Sequence, residues 1–177
     1  MKVIDILNKS DKAAFSFELV PPLKGGDINK IYEAIEPLIA LAPPFINITF
    51  HRDEVVYREY PDGTIKKVTV TKRPGSVALA AAIMKRYNVD MVPHIVCGGA
   101  TRHKIENELI DLNFLDIENV MALRGDPIPG ERFFTPEEGG HQYSCELVEQ
   151  ITRMNHGQYL DDTLTEAVPT NFCIGVA

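Results

Sequence analysis

The sequence predicts an α/β fold, a (β/α)8 or TIM barrel of which about the first five strands are present, with a β-hairpin inserted after the second strand. Three observations carry this. Strand-like and helix-like segments alternate along the chain, and the connections are long enough for parallel crossovers. Each strand pattern also has one apolar face and a second face that turns polar toward its C-terminal end. An open doubly wound sheet carries helices on both faces and needs apolar residues on both. A barrel has helices outside, a lumen inside and its chemistry at the C-terminal mouth. The pattern fits the barrel better.

The elements follow in order. AFSFEL (14–19) is the first strand, with Phe15, Phe17 and Leu19 opposing Ser16 and Glu18. INKIYEAIEPLIAL (28–41) places Ile31, Ile35 and Leu38 at helical spacing, and Pro37 predicts a kink or a shorter helix. FINITFH (45–51) is the second strand, where Ile46, Ile48 and Phe50 oppose Asn47, Thr49 and His51. EVVYREYPDGTIKKVTVT (54–71) has two β-rich runs around Pro61-Asp62-Gly63, the turn chemistry of a hairpin. It sits where barrel active sites lie; a surface decoration is the ordinary outcome for such a segment, and a lid is the sharper one.

SVALAAAIMKRY (76–87) is a helix with Ser76 expected as its N-cap after Pro74-Gly75. DMVPHIVC (90–97) is the third strand, and TRHKIENELIDL (101–112) a helix capped by Thr101. NVMALRGD (119–126) is the fourth strand, with Met121 and Leu123 expected to oppose Ala122, Arg124 and Asp126. SCELVEQITRM (144–154) is a helix and FCIGVA (172–177) the fifth strand. A complete barrel takes about 250 residues and eight strands. Residues 1–177 are therefore expected to form a single domain that is the N-terminal portion of a barrel, truncated before closure.

Composition narrows the function classes. A net charge of −7 without a long basic block argues against a nucleic-acid surface. A local pocket for an anionic ligand such as a nucleotide cofactor stays compatible with it. No apolar run approaches the roughly 20 residues of a membrane span, and the charged N-terminus is not a secretory signal. Cys97, Cys145 and Cys173 are odd in number and form no C-x-x-C pair, as expected for reduced thiols in a cytoplasmic protein.

Three stretches could carry chemistry. Glu18 lies among Phe15, Phe17 and Leu19 before Pro21-Pro22, a setting expected to desolvate the carboxylate and raise its pKa toward that of a general acid. Local chemistry alone fits a structural, ion-paired glutamate better. ALRGD (122–126) ends a strand in Arg124, which can hold a phosphate or a polarised carbonyl. Gly125 allows close approach of a ligand, and Asp126 follows it. His94 in VPHIVC is, taken alone, more often a hydrogen-bonded core residue than a ligand. The five histidines show no paired ligand spacing, so no metal is expected. Neither G-x-G-x-x-G nor G-x-x-x-x-G-K-[ST] occurs, and KGGD and CGGAT are too short to count.

FSFELVPP, INITF, VPHIVC and ALRGDPIPG, in this order and spacing, resemble the 5,10-methylenetetrahydrofolate reductases; YSCELVEQI and FCIGVA match the next helix and strand of that family. The resemblance covers the chain outside 52–73. It implies a flavoprotein (β/α)8 barrel that moves hydride from NADH or NADPH to FAD, then to methylenetetrahydrofolate, giving 5-methyltetrahydrofolate for methionine synthesis. Glu18 corresponds to the family's general acid, which protonates N10 of the folate so that the ring opens to an iminium. Asp126 corresponds to the aspartate near flavin and folate, where its charge stabilises that cation. FAD contacts carry over to Thr49, His94, Arg124, Gly125 and Asp126, and to Tyr143 and Ser144.

There are departures. Phe50 and His51 stand where the family often has a tyrosine and a small residue, so a tyrosine hydroxyl contact is lost. Ser144 replaces a common alanine, and the 54–71 hairpin is longer than in the simplest members. The resemblance also implies a folate substrate, a homo-oligomeric full-length protein, and an isolated 177-residue piece that binds FAD poorly and is inactive. Two other readings stay open: a non-catalytic barrel fragment that assembles through an exposed edge, and another pterin-binding barrel enzyme using Glu18 and Arg124.

Overall fold

The computed structural model describes residues 1–9 and 11–177. The element order is α1 (Val3–Lys9), β1 (Phe17–Leu19), α2 (Ile28–Ile39), β2 (Phe45–Ile48), β3 (Glu54–Glu59), β4 (Ile65–Val70), α3 (Ser76–Tyr87), β5 (Asp90–Val96), α4 (Arg102–Phe114), β6 (Asn119–Leu123), α5 (Ser144–Met154) and β7 (Cys173–Val176). Five strands form one sheet in the order β1-β2-β5-β6-β7, every neighbouring pair parallel. Successive strands thus lie side by side, as in the wall of a (β/α) barrel.

The register assigns the faces. Phe17, Ile46 and Met91 align on one face, and Glu18, Asn47 and Val92 on the other. The first face continues through Ile48, Ile95, Val120 and Ala122, all packed in one core with Ile35, Leu79, Ile105 and Leu147 from the helices. Helices therefore cover that single face. This is the one-sided arrangement that favoured a barrel over a doubly wound sheet.

Within β6 the expected faces are reversed. Val120 and Ala122 are fully buried in the helix-side core, while Met121 pairs in register with His94 on the opposite face. Both alternating sets are apolar here, so alternation groups the residues without saying which set the helices cover. Beyond Leu123 the strand ends, and Arg124 and Asp126 belong to a loop.

The helices follow their local signals. Asp27 caps α2 by accepting from the Asn29 amide at 2.9 Å. The helix passes through Pro37 and ends at Ile39, before the expected residue 41; Ala42 follows at φ +51°, and Pro43-Pro44 cannot continue a helix. Thr101 caps α4 as expected, accepting from the Lys104 amide at 3.2 Å. Ser76 does not cap α3. Gly75 takes the extended cap conformation instead, which makes Ser76 the first helical residue; it is buried and donates to Glu108 on α4 at 3.4 Å.

β3 and β4 pair antiparallel as a separate two-stranded sheet between β2 and α3. Its turn is built as the sequence predicts: Gly63 has φ +77°, and Asp62 accepts from the amide and hydroxyl of Thr64 at 3.0 and 2.6 Å. α1 lies at the opposite end of the sheet, where the Val3 amide donates to Asn119 at the start of β6.

Candidate active site

Because the five strands are parallel, their C-terminal ends converge on one edge. Two groups of the sequence-predicted residues meet there. The first is on the face away from the helices. Glu18 Oε2 of β1 lies 3.9 Å from His94 Nε2 of β5, beyond hydrogen-bond reach. His94 is 8% exposed, and its Nε2 has no hydrogen-bond partner. Burial lowers the His94 pKa, with the Glu18 charge acting in the opposite direction, so the ring is neutral near pH 7. Asn47, in register with Glu18, donates to Ser16 Oγ at 3.2 Å, while its Oδ1 is buried without a partner. Buried polar atoms are rarely left unmatched. This face carries two of them.

The setting of Glu18 differs from the one expected. Its side chain is 58% exposed, and the phenylalanines do not enclose it. Phe15 and Phe17 occupy the other side of the strand and meet edge to face at 5.8 Å. Alternation sends residue 18 away from both neighbours, so adjacency in sequence gives no desolvation across the strand. Thr49 is adjacent: its amide and hydroxyl donate to the Leu19 carbonyl at 3.0 and 3.3 Å.

The second group lies at the end of β6. Gly125 has φ +86°, and a Cβ there would fall 2.6 Å from Val96 Cγ1. Only glycine fits that turn. Leu123, Arg124, Gly125, Asp126, Tyr143, Ser144 and Ala177 line one cleft of about 430 Å³. The Arg124 guanidinium sits 5.5 Å from the centre of the buried Phe134 ring. Tyr143 and Ser144 begin α5, held by Glu146, whose carboxylate accepts from the Gln142 and Tyr143 amides at 2.7 and 3.1 Å. Those bonds hold the Glu146 carboxyl below its usual range. A second cleft, of about 360 Å³ and lined by α4 and α5 residues such as Arg102, Glu106 and Arg153, contains none of the predicted residues.

Val96, two positions after His94, touches the Gly125 turn and joins the two groups. Sequence reasoning missed Arg52, Asn47 and Phe134. Arg52 donates to the Asp126 carbonyl at 3.3 Å and packs near Gly98 and Gly99. The glycine pair in CGGAT was the one local signal of that close approach. Phe134 lies in a loop without periodicity. Among the described residues, no group of three or more His, Cys, Asp or Glu is arranged to hold a metal ion, and no helix is long and apolar enough to cross a membrane.

A model of the family described as methylenetetrahydrofolate reductase matches residues 2–177. The chain belongs to that family. Relatives of the methylenetetrahydrofolate reductase family include methylenetetrahydrofolate reductase (NADH) 1 of Arabidopsis thaliana, 28% identical over 167 residues, which cover 93% of this chain and 25% of that protein. Methylenetetrahydrofolate reductase 1 of Schizosaccharomyces pombe is 28% identical over 181 residues, covering all of this chain and 25% of its own length. The 5,10-methylenetetrahydrofolate reductase of Pectobacterium carotovorum is 24% identical over 135 residues, 75% of this chain and 37% of that protein. The chain thus spans about a quarter of the plant and fission-yeast methylenetetrahydrofolate reductases it matches. The family resemblance seen in the strand motifs is borne out over the whole chain.

Proposed function

We propose that this protein reduces 5,10-methylenetetrahydrofolate to 5-methyltetrahydrofolate, with NADH or NADPH as hydride donor and FAD as bound cofactor, on a (β/α)8 barrel of which these strands form one part. The observation that carries this reading is the juxtaposition at the sheet's C-terminal edge. An exposed carboxylate, Glu18, stands 3.9 Å from a buried imidazole with an unmatched nitrogen, and the Gly125 turn adjoins them through Val96.

The residues present fit a flavin. The unmatched His94 Nε2 and Asn47 Oδ1 are buried atoms that seek a hydrogen-bond partner. At Gly125 the turn admits no Cβ, so a planar ligand could approach the backbone there. Thr49, His94, Arg124, Gly125, Asp126, Tyr143 and Ser144 would hold FAD. Bound there, FAD would relay hydride from the nicotinamide to the folate. Arg124 supplies a permanent positive charge for an anionic group, and the neutral His94 ring can donate or accept through Nε2.

Glu18 is assigned the proton delivered to N10 of the folate. Its exposure in these 177 residues leaves the carboxyl accessible to a substrate at the mouth. Asp126 is assigned the negative charge that balances the cationic iminium of the ring-opened folate.

Replacing Glu18 by glutamine in the complete protein tests the reading. Glu18→Gln is expected to slow folate reduction by about 10²–10⁴-fold, the usual contribution of a positioned acid. NAD(P)H oxidation with an artificial electron acceptor is expected to persist. Equal loss of both activities would overturn the acid assignment. For a polypeptide of residues 1–177 alone, poor FAD retention and no turnover are expected, because β1 and β7 end the sheet with unpaired edges. A purified fragment showing stoichiometric flavin absorbance near ~450 nm with folate-dependent oxidation would contradict that.

A further inference from the structure

The β3–β4 hairpin carries charges that its own fold does not explain. Residues 52–73 contain six Lys or Arg and four Asp or Glu, in a chain whose net charge is −7. In the antiparallel register Arg58 stands directly opposite Lys66, and like charges so placed weaken a hairpin. Nearer the roots, opposite charges do pair, Glu54 with Lys72. Toward the turn, Arg58, Lys66 and Lys67 are exposed and form no ion pair among the described residues. Lys66 Nζ lies 5.0 Å from the Tyr60 ring centre.

Both roots of the hairpin are tied to the candidate site. The Lys24 amide donates to the Lys72 carbonyl at 2.8 Å, and Arg73 donates to the Pro21 carbonyl. Those bonds fix the β4 root to the loop that follows Glu18. On the β3 side, Arg52 donates to the Asp126 carbonyl at 3.3 Å. A cation-bearing hairpin is thus anchored to the loop that follows Glu18 and to the loop that carries Asp126.

We infer that Arg58 and Lys66, which share one face of the hairpin, bind the anionic tail of the substrate, the run of γ-linked glutamates on a polyglutamylated folate. This rests on the folate-reductase reading above. A polycarboxylate would relieve the repulsion between Arg58 and Lys66 and complement both unpaired cations on that face of the hairpin. Reach favours the tail over the folate ring: six residues of strand extend about 20 Å from the hairpin root, a span for several linked glutamates. The phosphates of a nucleotide have a nearer cation in Arg124, within the cleft beside α5.

The test is steady-state kinetics of the complete protein and its R58Q/K66Q variant, with monoglutamyl and pentaglutamyl methylenetetrahydrofolate at low and high salt. Wild type is expected to show a lower KM for the pentaglutamyl substrate, rising with salt. The double variant is expected to raise that KM about fivefold at low salt, to lose most of its salt dependence, and to leave kcat and the monoglutamyl KM unchanged. R58K/K66R, which keeps both charges, is expected to retain the pentaglutamyl preference. An unaltered pentaglutamyl KM in R58Q/K66Q, or an equal rise for both substrates, would overturn the inference. Equal KM values for the two substrates in wild type would overturn it while leaving the reductase reading intact. A wild-type protein that reduces neither folate would overturn both.

Discussion

On β5, His94 and Ile95 are consecutive residues on opposite faces of the same sheet. Ile95 is fully buried in the core that joins the sheet to the helices, with Leu79, Ile105 and Leu147. His94 is also buried, yet its Nε2 has no partner and its nearest ionic neighbour is an exposed carboxylate. The helix-facing side is apolar and closed. The other side holds unmatched polar atoms and a carboxylate in solvent. One strand thus separates the residues that hold the fold from those available to bind a ligand.

A pair of neighbouring substitutions tests that separation. Ile95→Ala removes side-chain volume from the closed face and is expected to destabilise the protein by about 2–5 kcal/mol. His94→Gln, one residue away, is expected to change stability by less than about 1 kcal/mol while lowering flavin content of the complete protein. Urea denaturation and flavin absorbance give the two readings. A stability loss for His94→Gln equal to that of Ile95→Ala would make His94 a core prop and remove the contrast.

Gly125→Ala sharpens the same contrast at the site's edge. The added Cβ would meet Val96 at 2.6 Å, and φ +86° is strained for alanine. A loss of about 1–3 kcal/mol is expected, together with weaker flavin retention, measured by thermal denaturation and cofactor titration. Unchanged flavin affinity would mean that the turn is only a connection between β6 and the following loop.

The closed face was the more legible one in the sequence. α3 and α5 occupy the bounds that periodicity gave, and Thr101 marks the start of α4, because helical spacing and caps are local signals. Pro37 lies inside α2, which runs on to Ile39. The side of β6 under the helices was not legible, since Val120-Ala122 and Met121-Leu123 are both apolar sets. Nor was the exposure of Glu18, which depends on what stands across from it in space. The Arg52–Asp126 bond joins residues 74 positions apart. No local pattern encodes such a contact.

Glu108 is a half-buried carboxyl on the closed side, and it gives the smallest and most specific effect. This α4 carboxyl receives the Ser76 hydroxyl at 3.4 Å. Burial raises its pKa above the ordinary 4.5; the Ser76 bond and Lys104 oppose that shift, and Asp111 adds to it. The folded state therefore holds a proton on Glu108 more tightly than the unfolded chain does. The stability linked to this proton is fully present below pH 4.5 and is lost as pH rises through the folded-state value. Glu108→Gln fixes the side chain in a neutral form. Denaturation curves from pH 4 to 8 (a range of about four pH units around the linked transition) are expected to show the variant gaining stability relative to wild type as pH rises. A difference that stays constant across that range would mean that the folded state holds the Glu108 proton no more tightly than the unfolded chain, and that the helix-facing side tolerates a charge as readily as the open one.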